Sequence, residues 1–339
     1  MRRTPAGIFG IRSQKGNFFR KSQKTIDFRQ SIRYNSIKES VWPAEKRSRS
    51  PEFNRNTVTH QEDKYMALPV AVQVYSVRDS AEANLADTLR KIKEMGYDGV
   101  EFAGLYGYAP EYIKGLIDAL ELIPVSAHIP LDEMIADPDK TFAAYQTIGV
   151  KFAAVPYVTP ERRPGAEKFE ETIETIAKLG EIAKKYGITL LYHNHDFEFT
   201  KVDGEYGLDI LYKRVPKEFL ETELDTCWVN VGGEVPAEYI AKYNGRTPVV
   251  HLKDFYMSGK LPKHLYALIG IDEEEKEDEP STFEFRPVGH GMQDMPAILE
   301  ASVASGAQYV VVEQDEPSMG LSRMESIKAS REYLKSLGW

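Results

Sequence analysis

Four apolar runs in this 339-residue chain each end in a side chain that can hold a divalent metal. They are TLLYHNHDF (189–197), LETELDTCW (220–228), TPVVHLKDF (247–255) and AQYVVVEQD (307–315), and they carry His193, Asp225, His251 and Glu313. Two imidazoles with two carboxylates suit Mn²⁺ or Co²⁺ first, with Zn²⁺, Fe²⁺ or Mg²⁺ as alternatives; an all-oxygen cage would point to Mg²⁺ or Ca²⁺. Side chains two apart on a strand share a face, so His193 and His195 are equivalent candidates for one ligand position. The same alternation groups Val249, His251 and Lys253, then Glu221, Glu223 and Asp225, then Val311, Glu313 and Asp315. Polar groups there are costly to bury without partners, so they read as a site rather than as core.

Further residues fit roles around such a centre. Glu313 is a ligand and also a proton acceptor, Lys253 or His195 is an acid or oxyanion support, and Glu198 is a reserve proton carrier. Glu101 and His128 end two earlier runs, Tyr75 and Arg78 follow the first, and His290 sits between glycines in PVGHGMQDMP; Glu101, His128, Tyr75 and His290 are the substrate-facing candidates. Glu101 pairing with Arg78 is the structural alternative, and Lys253 has one as a loop charge. Metal-bound imidazoles hand their second N–H to an acceptor, for which Asp196, Glu198 and Asp254 stand nearby. Trp228 and Gly232–Gly233 read as shaping the site, and Cys227 as a small buried apolar group.

Positioning these groups requires strands that end together. From residue 69 short apolar runs alternate with helical patterns: PVAVQVYSV then NLADTLRKIKEMG, DGVEFAG then PEYIKGLIDALEL, IPVSAHI then DKTFAAYQTIG, KFAAVPYV then EKFEETIETIAKLGEIAKKYG. The four chelating runs supply strands five to eight, with helices at GLDILYKRV, PAEYIAKYNG, MPAILEASVASG and SRMESIKASREYLKSLG. Eight units in roughly 270 residues predict a (β/α)8 TIM barrel of the α/β class, whose active sites lie at the C-terminal strand ends. An open doubly wound sheet fits the alternation too, but no G-x-G-x-x-G follows the first strand. The interruption at 256–287 carries DEEEKEDE (272–279), a solvated loop or a lid over the catalytic face.

Composition narrows the function classes. Residues 1–65 hold 15 Lys/Arg against 6 Asp/Glu, and the remainder carries a net charge of −18. An acidic body argues against a nucleic-acid partner, which needs surplus cations. No apolar run is long enough to span a bilayer, so no membrane partner is expected. One cysteine fits a reducing, cytoplasmic location. The segment 1–65 lacks periodicity and reads as a disordered or mis-called N-terminal extension before a barrel at 66–339; a basic, Ser-containing transit peptide is the other reading.

On LYHNHDFEF, ELDTCW, VVHLKDF, PVGHGMQDMP and YVVVEQD, in that order, the chain resembles the xylose-isomerase-like barrel superfamily, the sugar phosphate isomerases/epimerases that include inosose dehydratase. The resemblance spans about residues 69–337. It implies one divalent metal held by His193, Asp225, His251 and Glu313, and a carbonyl or polyol substrate chelated by it. The 3-epimerases of that superfamily use two glutamates as a proton-transfer pair, whereas this chain has His193 at the strand-five position. The H-N-H and V-E-Q-D patterns are more similar to inosose dehydratase. The expected activity is therefore isomerisation or epimerisation of a sugar or keto-sugar through an enediolate, with dehydration of a keto-cyclitol such as inosose as the rival. An endonuclease IV-type nuclease and a non-catalytic sugar sensor are the remaining alternatives. An unphosphorylated substrate is expected, for want of a Gly-rich phosphate cradle; a homo-oligomer is compatible with all of this.

Overall fold

The computed structural model describes residues 67–261, 265–266 and 282–339. Eight parallel strands close into a barrel: β1 (Val70–Gln73), β2 (Gly99–Ala103), β3 (Ile123–His128), β4 (Phe152–Val155), β5 (Thr189–His193), β6 (Glu221–Asp225), β7 (Val249–Leu252) and β8 (Tyr309–Val312). Each pairs with its neighbours in chain order, and β8 returns to β1 through Val70↔Val310. Between and after them run α1 (Arg78–Met95), α2 (Pro110–Leu120), α3 (Leu131–Ala136), α4 (Pro138–Ile148), α5 (Phe169–Lys185), α6 (Gly207–Arg214), α7 (Thr226–Val231), α8 (Pro236–Lys242), α9 (Met295–Ala304) and α10 (Arg323–Ser336). This is the (β/α)8 TIM barrel that the alternation predicts.

The apolar patterns explain the two shells. Helix faces such as Leu85, Leu89 and Ile92 of α1, or Ile173, Ile176 and Leu179 of α5, are buried in the large core outside the strands. A smaller cluster of Ala71, Val125, Phe152, Ala154, Leu191, Val249, Tyr309 and Val311 fills the barrel itself. Two residues further along β1, β5 and β7, and just past β8, the same parity delivers Gln73, His193, His251 and Glu313. The interior therefore changes from apolar to polar toward the C-terminal rim, where a barrel can hold polar side chains at the edge of solvent.

Several elements are shorter than the apolar runs predict. Beyond β1 the chain turns at once into a 3₁₀ segment, Val74–Val77, because the Gln73 side chain accepts the Tyr75 N–H at 2.9 Å. Beyond β6 Asp225 caps α7 by accepting the Trp228 N–H at 3.0 Å, so TCW is helix rather than strand. The short α3 after Pro130 was not legible. Nor was the antiparallel pairing of Asp254–Ser258 with Thr282–Arg286, which brackets the long interruption. The acidic run 272–279 and the segment 1–65 lie outside the described residues. Among the described residues no helix is long and apolar enough to cross a membrane.

Candidate metal centre

The four late-strand donors converge. Strand register sets Asp225 beside His251 and His251 beside Val311, two residues before Glu313. His251 Nδ1 lies 3.1 Å from Glu313 Oε2, and His193 Nε2 lies 3.6 Å from Asp225 Oδ2 and 3.9 Å from Glu313 Oε2. One ligand atom from each of the four falls within 4.8 Å of the others, all on buried side chains. Donors about 2.0–2.3 Å from one cation stand about 3–4 Å apart, so the spacing fits a single coordination sphere. Asp225 Oδ2, buried, has no hydrogen-bond partner, which also fits an oxygen reserved for a cation. Of the two equivalent candidates, His193 is in this group; His195 is one position outward and packs on Trp228 and Phe197 with ring centroids 5.2 and 5.4 Å away.

The electrostatics of the site follow from burial and proximity. Burial alone would depress His251, but Glu101, Glu223 and Glu313 outweigh it and hold the imidazole well above its usual range. His193 is pushed well down by burial and by the neighbouring His251 and His128, leaving a neutral ring with a free lone pair. Burial raises Asp225 to about 7 despite Lys253. Burial would raise Glu313 too, but Lys253 and His251 hold it well below the ordinary carboxylate range. Lys253 is itself buried, with Nζ 2.6 Å from Asp315 Oδ2 and 3.1 Å from Glu313 Oε2. It is an ion-paired group and not a loop charge.

A cavity of about 490 Å³ opens over this group, lined by Tyr75, His128, His193, His195, Lys253, Glu313 and Asp315 at its chelating end and by Leu131, Pro156, Tyr157 and Val158 elsewhere. Another cavity, of about 450 Å³, lies against Lys201, Tyr206, Asp209, Glu234 and Lys242. There Lys242 pairs with Asp209 at 2.6 Å and Glu234 accepts the Tyr206 hydroxyl at 2.8 Å, and none of His193, Asp225, His251 and Glu313 lines it.

Other expected residues are placed differently. Glu198 does not line the cavity; it accepts the Tyr192 hydroxyl at 2.7 Å and the His195 N–H at 2.8 Å, and burial pushes it up to about 8. His290 is exposed and lies outside the group. Glu101 is fully buried beneath the cavity floor, 3.0 Å from His128, while Arg78 pairs with Glu316 at 2.5 Å; the Glu101–Arg78 pair is not formed. Tyr75 and His128 do line the cavity. The second N–H groups of the histidines do not turn to Asp196, Glu198 or Asp254. Asp254 instead accepts the amides of Gly289, Gly291 and Gln293. The carboxylates actually facing the rings are Glu223 and Glu101, and period-two alternation from Asp225 was the signal for Glu223. Trp228 and Cys227 are both buried, and burial raises the Cys227 thiol far above its usual value, an inert setting.

Comparison with known proteins agrees with this architecture. Residues 89–337 match the family described as xylose isomerase-like TIM barrel. Inosose dehydratase from Lacticaseibacillus casei is 22% identical over 283 residues, covering 75% of this chain and 89% of that protein. A sugar phosphate isomerase/epimerase from Parabacteroides distasonis superposes with a TM-score of 0.63 at 20% identity, covering 81% of this chain and 96% of that one. The IOLI protein with a bound zinc atom gives 0.60 at 16% identity, covering 80% and 98%. With the family matched over most of its length, the chain belongs to the xylose isomerase-like TIM barrel family.

Proposed function

We propose that residues 66–339 form a divalent-metal-dependent isomerase or epimerase of a sugar or keto-sugar, working by proton transfer next to a carbonyl. The observation that carries this is the convergence of His193, Asp225, His251 and Glu313 under a cavity large enough for a sugar. A bound divalent cation would polarise the substrate carbonyl and stabilise charge on its oxygen. The zinc bound by the IOLI protein supports a metal of this kind, with Mn²⁺ and Co²⁺ equally suited to the donor set.

The chain's own residues supply the rest. His195 lines the cavity; burial and Lys253 keep its imidazole neutral at neutral pH, and its Nδ1 carries no hydrogen bond. Its protonation is disfavoured there, so it serves as a neutral polar group of the wall, and Glu198 accepts its backbone N–H. Lys253 presents a permanent ammonium where negative charge develops, steadied by Asp315. Tyr75 and His128 complete the polar wall.

Dehydration of a keto-cyclitol is the second reading, favoured by the similarity to inosose dehydratase. Both reactions begin with the same proton abstraction, so one experiment addresses them. Keto-sugars and inosose are incubated in D₂O with the metal-loaded and the chelator-treated protein, and products are followed by NMR. Metal-dependent deuterium uptake with retained formula supports isomerisation or epimerisation; uptake with loss of water supports dehydration. No metal-dependent exchange across a broad panel counts against both.

A further inference from the structure

Beneath the chelating group lies a second polar layer that faces the same two histidines from the other side. Glu223 Oε1 is 2.7 Å from His128 Nε2, 3.3 Å from His193 Nδ1 and 3.3 Å from His251 Nε2. Glu101 Oε1 is 2.9 Å from His251 Nε2 and 3.0 Å from His128 Nε2, and it accepts the Gln73 amide at 2.6 Å. The contacts to His251 Nε2 are near but off the hydrogen-bonding line. Register fixes the layer, since Gln73 sits beside Glu101 and His193 beside Glu223.

The nitrogens involved are the opposite ones from those that face Asp225 and Glu313. His193 turns Nε2 to the outer carboxylates and Nδ1 to Glu223; His251 turns Nδ1 to Glu313 and Nε2 to Glu101 and Glu223. A neutral imidazole has one lone pair, so each ring can serve a cation on one side only. By donor count there are two seats, because His128, His193, Glu223 and His251 also lie within 4.8 Å of one another. Oε2 of Glu101 and of Glu223 is buried without a hydrogen bond, so the inner seat is a real rival.

We propose that Glu223, with Glu101, is a positioning residue that keeps the ring N–H of His193 and His251 on the inner side and thereby directs the cation to the outer seat beside the cavity. His128, gripped by both inner carboxylates, fills the inner seat with its own N–H. His128 and His193 of the inner group line the cavity, but of the carboxylates Glu101, Glu223, Asp225 and Glu313 only Glu313 does, and the outer Asp225 Oδ2 has no hydrogen bond. This inference rests on the metal-dependent reading given above.

The test is titration of the full chain with Co²⁺, its visible spectrum reporting the donor set and a chelator competition giving affinity. Variants are Glu223→Gln, Glu223→Asp, Glu101→Gln, Asp225→Asn and Glu313→Gln, each checked for folding by circular dichroism. Wild type is expected to bind one ion. Asp225→Asn and Glu313→Gln lose it, and Glu223→Gln binds about 10–100-fold more weakly, the usual cost of losing such a partner. Glu223→Asp recovers part of the loss and serves as the readout if Glu223→Gln does not fold. Wild-type affinity in folded Glu223→Gln and Glu101→Gln overturns the positioning role. Tight binding retained in both Asp225→Asn and Glu313→Gln overturns it also, since the ion then occupies the inner seat. A wild-type chain that takes up no ion overturns the metal reading itself, and this proposal with it.

Discussion

Lys253 Nζ lies 2.6 Å from Asp315 Oδ2, with both side chains buried at the rim of the barrel. Glu313 Oε2 at 3.1 Å and Asp225 Oδ2 at 3.6 Å complete a ring of three carboxylates about one ammonium. Burial alone would lower Lys253, but Asp315, Glu313 and Asp225 outweigh it and keep the side chain charged. Lys253→Met leaves those carboxylates facing one another. In metal-free protein it is expected to cost about 3–5 kcal/mol, the usual range for removing one partner of a buried ion pair. Urea denaturation measures this, and added Mn²⁺ should return part of the loss. An unshifted midpoint in metal-free protein would contradict the assignment.

The inner layer makes metal-free stability fall with rising pH. Burial alone would depress His128, but Glu101 and Glu223 hold it up to about 10. Against an unfolded imidazole near about 6.5, this stabilisation is complete below about pH 6.5 and is lost as pH climbs through about 10. Glu223 and Asp225, both raised mainly by burial to about 7, act in the same direction at lower pH, between their unfolded values near about 4 and about 7. Denaturant midpoints of chelator-treated protein should decline from pH 6.5 to pH 9.5. A midpoint that rises over that interval would mean His128 is not held between two carboxylates.

Metal affinity should move the other way. A cation must displace the proton from Asp225, held up to about 7, and one from the His251 ring, which Glu101, Glu223 and Glu313 keep charged. Apparent affinity should therefore increase on going from pH 6 to pH 8, by up to about tenfold per pH unit for each proton displaced. Isothermal titration in buffers of different ionisation enthalpy reads the protons released. Binding without proton release would remove Asp225 and His251 from the ligand set.

The barrel and the convergence of His193, Asp225, His251 and Glu313 were legible because both are written in short-range patterns. Strand alternation and the shift from Val249 to His251, or from Val311 to Glu313, put apolar and polar residues on one inward face in order. Strand ends were less legible, since the residues just past each run are polar and are captured by local caps, as Asp225 captures the Trp228 N–H. The partners of the histidines were misread for a different reason. Which carboxylate faces which ring depends on register between strands, and nothing within a single strand states it. Asp254 is next to the site in sequence yet turns away, because a glycine loop thirty-odd residues on offers it unsatisfied amides.

That loop gives the last prediction. Asp254 accepts N–H groups from Gly289 and Gly291 at 3.0 Å and from Gln293 at 3.2 Å, while the Gln293 amide donates to the Lys253 carbonyl at 3.0 Å. The backbone can come this close only where no side chain intervenes: a Cβ on Gly291 would stand 2.1 Å from Asp254 Oδ1 and 2.4 Å from the Phe255 carbonyl oxygen. The Phe255 oxygen is backbone and the Asp254 carboxylate is pinned by four amides, so the loop must shift as a unit. Gly291→Ala is expected to destabilise the protein by about 1–3 kcal/mol, and to weaken metal binding because Lys253 and His251 share the displaced strand end. Gly115, inside α2 with open space where a Cβ would go, supplies the contrast. Gly115→Ala should stabilise by about 0.4–1 kcal/mol and leave metal binding unchanged. Denaturation and Co²⁺ affinity measured on both variants check the pair; a Gly291→Ala protein with wild-type stability and affinity would show that the loop does not hold the strand end beneath it.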